Sequence, residues 1–198
     1  IDAKPGLVGG VVIPPLQLRT AGEDILLGLV EQPGFLDAEI RRRQIQMHIA
    51  DDDVEAISAL AGLIWREHYA NIISAAQIDY MLQQRYAPAV IREQLSRGIA
   101  WDKLLVDGRI VAYVSYFKTA DGSEMKLDKL YVHPQHQRSG FGGLLIARAL
   151  GEARREGCKA LVLAVNKANA KAIAAYTKYG FRIREAIVQD IGGGFVMD

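Results

Sequence analysis

The stretch Val132-His133-Pro134-Gln135-His136-Gln137-Arg138-Ser139-Gly140-Phe141-Gly142-Gly143 turns from a strand-like run, through small residues, straight onto an amphipathic helix. Such a turn offers anion chemistry. Unpaired backbone N–H groups and the positive end of the helix converge there. Glycines at 140, 142 and 143 let a diphosphate approach the backbone without meeting a Cβ. A tight turn holding no ligand is the plain alternative. Two other phosphate loops fit less well: Leu145 stands where a dinucleotide fingerprint needs Gly or Ala and argues against it, and no Gly-Lys-Ser/Thr follows to make a P-loop.

The elements that must position this turn are legible from periodicity. Gln44–Ala50 alternates Ile45, Met47 and Ile49 as a strand would, and Asp51-Asp52-Asp53 offers N-caps for a helix with Val54, Ile57, Leu60 and Ile64 on one face. Helical patterns recur near Ser74–Gln84 and Pro88–Arg97. Ala100–Val106 and Arg109–Lys118 flank an Asp107-Gly108 turn, a strong hairpin signal. Met125–His133 reads as a strand and Phe141–Glu156 as a helix stopped by Gly157, with Arg148 and Glu152 paired at i,i+4. A short buried strand at Leu161–Val165, a helix over Ala168–Tyr179 and strands near Phe181–Gln189 and Gly194–Asp198 complete the order. The expected fold is α/β: a mixed, mostly antiparallel central sheet with helices on both faces.

The composition limits the setting. The chain has 198 residues and a net charge of +1, so no global field favours nucleic acid or an anionic membrane. Its one cysteine, Cys158, excludes an intrachain disulfide and a Cys-cluster zinc site, and reads as a small packed thiol. His48, His68, His133 and His136 show no metal-type pairing; a polar role suits the two that border the turn. No apolar run reaches the roughly 20 residues of a spanning helix, and no signal peptide opens the chain, so the expectation is a cytoplasmic protein. Residues 1–43 differ from the rest. Glycines and prolines punctuate them, with short helices expected around Glu23–Val30 and Leu36–Arg43, and they form either a loose extension or an arm docked on the domain or a partner. The start at Ile1 reads as a trimmed one, and the last strand is expected to run on past Asp198.

The glycine turn has the form Q-x-x-G-x-G, carried by Gln137, Gly140 and Gly142, and here the chain resembles the GCN5-related N-acetyltransferase (GNAT) superfamily, whose acetyl-CoA pyrophosphate loop reads Arg/Gln-x-x-Gly-x-Gly/Ala. A second stretch, Asn166 to Phe181, resembles the superfamily's later N-x-x-A…Y-x-x-x-G-F segment, in the same order and spacing. The resemblance spans 44–198 as one acetyltransferase domain and leaves out 1–43.

It implies direct acetyl transfer from acetyl-CoA to a primary amine, in a homodimer without metal. Backbone amides of Arg138, Ser139, Gly140, Phe141, Gly142 and Gly143, with Gln137, would cradle the pyrophosphate. The strand Leu130, Tyr131, Val132 would flank the pantetheine arm, one of its N–H groups serving the oxyanion. Asn169 would bond the arm, and Lys171, with Lys167, the adenosine phosphates. Tyr176 would protonate the departing thiolate, as a phenol of pKa near ~10 can. Asp128 falls where spermidine/spermine-type members carry a glutamate base; it is one methylene shorter, and it reads equally as an ion-paired residue. Glu124 is a weaker candidate.

The acceptor would meet the Trp65–Tyr86 region, which holds Glu67, His68, Tyr69, Asp79 and Tyr80, with at least half of its aromatic residues in the core. A small amine or polyamine is the expected acceptor. A peptide amine, an acyl-CoA-binding module without turnover and a dinucleotide oxidoreductase are the alternatives.

Overall fold

The computed structural model describes residues 9–12, 43–186 and 189–197. The expected helices at 23–30 and 36–43 lie outside these residues, except that Arg43 opens a strand. A seven-stranded sheet runs through the molecule, with strands β1 (Gly9–Val12), β2 (Arg43–Met47), β3 (Ala100–Val106), β4 (Arg109–Lys118), β5 (Glu124–Val132), β6 (Ala160–Ala164) and β7 (Arg182–Ala186) in the spatial order β2-β3-β4-β5-β6-β1-β7. Every neighbouring pair is antiparallel except β5 and β6. The mixed, mostly antiparallel sheet that the pattern of elements predicts is therefore present.

Helices α1 (Val54–His68), α2 (Ala75–Tyr86) and α3 (Pro88–Ser96) cover one face, around a core of Ile57, Trp65, Tyr86, Ile91, Trp101 and Tyr113. Helix α4 (Phe141–Arg155) covers the other, burying Leu145, Ile146, Ala149 and Ala153 against Leu104, Val114, Met125 and Leu161. Helix α5 (Ala170–Lys178) adds Ala172, Ile173 and Tyr176 to the edge of that second core. β4 lies between both layers, so six consecutive residues, Val111–Tyr116, are buried.

Two departures from the sequence pattern stand out. Gly9–Val12, within the segment set apart as an extension, forms a strand inserted between β6 and β7. The long strand expected over Phe181–Gln189 is instead β7 followed by a separate hairpin, β8 (Gln189–Gly192) with β9 (Phe195–Met197). Gly192, Gly193 and Gly194 all have φ between +63° and +83°, the left-handed backbone that turns the hairpin, and the Tyr80 hydroxyl of α2 donates to the Ile191 carbonyl at 2.9 Å.

Candidate active site

The sheet opens at β5. Its parallel pairing with β6 covers only Glu124–Lys126 against Ala160–Val162, and among the described residues no strand takes up Leu127–Val132 on that side. Parallel strands that part in mid-sheet leave a row of backbone N–H and C=O groups unpaired, and such groups need a partner. β5 also carries a β-bulge: Ser115 faces Lys129 while Tyr116 faces Leu127, so Asp128 is the extra residue. The bulge inverts the side-chain alternation. Met125 and Leu127 enter the α4 core, and so do Leu130 and Val132, whereas Lys129 and Tyr131 enter the α1–α3 side.

Beyond β5 the chain turns through His133–Gly140. The Gln137 side chain donates to the Val132 carbonyl at 3.5 Å, Arg138 and Gly140 take φ of +63° and +81°, and α4 begins with no side-chain cap. A Cβ on Gly142 would stand 3.9 Å from Leu130, so the helix start lies against β5, beside the opening in the sheet. A Cβ on Gly143 would come within 2.7 Å of the Tyr179 hydroxyl. Arg138 and Ser139 are exposed on the turn, and Phe141 is buried beneath it. Gly140 needs its hydrogen; Gly143 leaves room for Tyr179.

The second motif forms the opposite wall. Asn169 is buried and caps α5, accepting from the Ala172 N–H at 3.1 Å. Lys171 is exposed on the first turn of the helix. Tyr176 packs half-buried against Phe181, with ring centroids 5.5 Å apart. Burial, helped by the neighbouring Tyr69, pushes its phenol well above the usual range, so it holds its proton at any physiological pH.

Asp128 has two cations on it. Arg85 Nη2 of α2 donates to its Oδ1 at 2.7 Å, and Lys129 Nζ bonds the other oxygen. Lys129 is 1% exposed, lies over the rings of Trp101 and Tyr86, and donates to Gln94 at 3.2 Å. Burial opposes charge on the Asp128 carboxyl, but Lys129 and Arg85 outweigh it and hold its pKa below the usual carboxylate value. Burial draws Lys129 down to about 8. Glu124, at the paired end of β5, bonds Arg184 at 2.8 Å and lies away from the opening.

Tyr69, at the end of α1, joins the two walls. Its hydroxyl lies 3.5 Å from that of Tyr131, and its ring stacks on Trp65 at 4.5 Å. Of the acceptor-side residues read from the sequence, Trp65 and Tyr86 are core, Tyr69 and Tyr80 half-buried, and Glu67 and Asp79 exposed. Sequence reasoning missed Arg85; its reading of Asp128 as an ion-paired residue agrees with the bonds to Lys129 and Arg85. A trace of the bulge was present, because the apolar positions 125, 127, 130 and 132 break step after Leu127. Cys158 is buried in the α4 core, with burial raising its pKa, as a packed thiol would be. His133 accepts from the Gln135 N–H, and among the described residues no group of metal-type ligands converges.

The sheet is thus split at one strand, with a glycine turn at the mouth of the opening. The profile of the acetyltransferase (GNAT) family matches residues 57–181, and the chain belongs to that family and is an acyltransferase. It is 22% identical to a spermidine N(1)-acetyltransferase of Thermoplasma acidophilum over 82% of this chain and 97% of the relative. A shorter match, 31% identical over 42% of this chain and 50% of the relative, is to an L-methionine sulfoximine/L-methionine sulfone acetyltransferase of Salmonella typhimurium. Among solved structures, the PaiA N-acetyltransferase of T. acidophilum in complex with coenzyme A superposes with a TM-score of 0.65 at 22% identity, covering 78% of this chain and 97% of that one.

Proposed function

We propose that the protein transfers the acetyl group of acetyl-CoA directly to a small primary amine within a ternary complex. The observation that supports this reading is the closeness of three features: the unpaired edge of β5 from Leu127, the glycine turn that sets Gly142 against Leu130, and Tyr176, whose neighbour Tyr69 lies against Tyr131 of β5. The diphosphate would sit on the amides of Arg138–Gly143 with Gln137 at the rim. The pantetheine amides would pair with Leu130–Val132 as an added strand would, and Asn169 would steady the arm. Lys171, exposed on α5, would meet the adenosine phosphates.

In the reaction, the amine nitrogen attacks the thioester carbonyl carbon and a β5 N–H near the bulge takes the charge that develops on oxygen. As the C–S bond breaks, the Tyr176 hydroxyl gives its proton to sulfur; burial keeps the phenol protonated before the step while making it a weaker acid than a free phenol. Asp128 receives the amine proton, directly or through water. With its pKa held low, it passes that proton on rather than keeping it. A polyamine acceptor draws support from the likeness to the spermidine enzyme, and a methionine-derived one from the Salmonella relative.

The test is thiol release from acetyl-CoA across a panel of amines, native against Tyr176→Phe. Release with one class of amine and a large fall in the variant support the reading. Coenzyme A binding without release from any amine would overturn it in favour of a binding module.

A further inference from the structure

The charges around Asp128 select among amines. Resting on the transferase reading, we propose that the acceptor carries an anionic group, such as a carboxylate, beside its amine, and that Arg85 binds that group. The position comes first: Asp128 is two residues past the last β5–β6 pair, at the bulge, and Arg85 reaches it from α2. The charge count follows. Arg85, Lys129 and Lys126 all act on this one carboxylate, so the bulge is locally positive. Asp79, the one acid on α2, is taken by Arg66 at 2.9 Å, and Glu67 stands exposed on α1. A polycation approaching Asp128 would meet two ammonium groups and a guanidinium around a carboxylate already bonded on both oxygens.

An anion meets the reverse. Arg85 bonds Asp128 through a single nitrogen, among the described residues, and its side chain is 31% exposed, whereas Lys129 at 1% is sealed. A guanidinium has five N–H donors in a fixed fork, so Arg85 can keep Asp128 and still offer donors to a second carboxylate. An amine held next to that carboxylate would lie beside Asp128, the group proposed to receive its proton. Lys129 then has a positioning role: it holds Asp128 charged from below while Arg85 faces the opening.

The experiment pairs each amino acid with its decarboxylated amine: lysine with cadaverine, methionine with 3-(methylthio)propylamine, and spermidine as the polycation. Thiol release is measured in native protein, Arg85→Gln and Arg85→Lys. The expected result is a kcat/KM for the carboxylate-bearing member at least about ten-fold above its partner, the size of one charge-assisted hydrogen bond, with most of that ratio lost in Arg85→Gln and part restored in Arg85→Lys. The ratio is the readout because a loosened α2 would lower both members together. Equal or better turnover of cadaverine or spermidine would overturn the inference and leave the transferase reading standing. A carboxylate preference unchanged in Arg85→Gln would remove Arg85 from the assignment. No release with any amine would overturn both readings.

Discussion

Two carboxylates, one on each face of the sheet, Asp102 fully buried and Asp128 partly so, show what separates a lock from a candidate site in this molecule. Asp102 on β3 is fully buried on the α4 face and accepts from the His48 N–H at 2.9 Å, the Tyr116 hydroxyl at 2.6 Å and Arg148 Nε of α4 at 3.0 Å. Asp128, on the α1–α3 face, also accepts from an arginine and a further cation. The chemistry is alike and the setting is not. Asp102 lies where β3 pairs with strands on both sides, and its side-chain donors come from β4 and α4 across that face. Asp128 is an extra residue on a strand whose other edge has come free, and one of its partners faces solvent. Satisfied on a continuous sheet, a buried charge fixes the register of strands and helix. At an interruption, it is held ready for something that arrives.

That contrast is broken most severely by Asp102→Ala. The change leaves the Tyr116 hydroxyl without its acceptor and Arg148 with Glu152 as its remaining partner, and losing one member of a buried network costs about 3–5 kcal/mol. Urea unfolding should register it fully, with Asp102→Asn, which retains an acceptor oxygen, falling between. The corresponding cut on the open side acts on rate. Tyr176→Phe keeps the ring against Phe181 and removes only the hydroxyl, so stability should change little while kcat falls by about 10² or more, the usual span for a lost general acid. Thiol release and thermal melts on the same preparation check both halves. A variant that melts early but turns over normally would reverse the assignment.

A smaller effect probes the turn itself. A Cβ on Gly140 meets nothing within 4 Å, so Gly140→Ala tests only the φ of +81°. An alanine there costs about 1–2 kcal/mol if the backbone keeps its shape. Relaxation of the turn would instead spare stability and weaken coenzyme A binding by a similar amount. Calorimetric titration with coenzyme A beside a thermal melt separates the two, and a neutral result in both would remove the turn from the cradle.

Much of the site was legible because its parts are local. The glycine turn, the Asn169 cap and Tyr176 each sit within one stretch whose spacing is written in the chain, and the β3–β4 hairpin announced itself through Asp107-Gly108. The parts that escaped are made by contacts distant in sequence. Arg85 lies 43 residues before Asp128, and Arg148 lies 46 after Asp102, with Glu152 offered as its obvious partner at i,i+4. No periodicity reports such a meeting. The Gly9–Val12 strand escaped for a related reason: four residues among glycines and prolines have no pattern of their own, and their place between β6 and β7 comes from the backbone groups those strands leave for pairing. The bulge is intermediate, visible as a one-residue slip in the apolar alternation but only interpretable once β4 supplies its partners.

The subtlest way to sharpen the comparison is to titrate it. Beside Asp128, burial lowers Lys129 from the ordinary 10.5 to about 8. Between those two values the unfolded chain binds more protons at this side chain than the folded one does, so the contribution to stability rises with pH across that window. Below it, Lys129 is charged in both states and the burial cost is carried in full. Lys129→Met lacks this response. The free energy of unfolding of native protein should therefore gain on that of the variant by about 1 kcal/mol or more from pH 8 to 10.5, as urea melts at the two ends of the window would show. Parallel curves for native protein and Lys129→Met would mean that Asp128 and Gln94 keep the buried lysine charged, and the open carboxylate would then be clamped as firmly as the closed one.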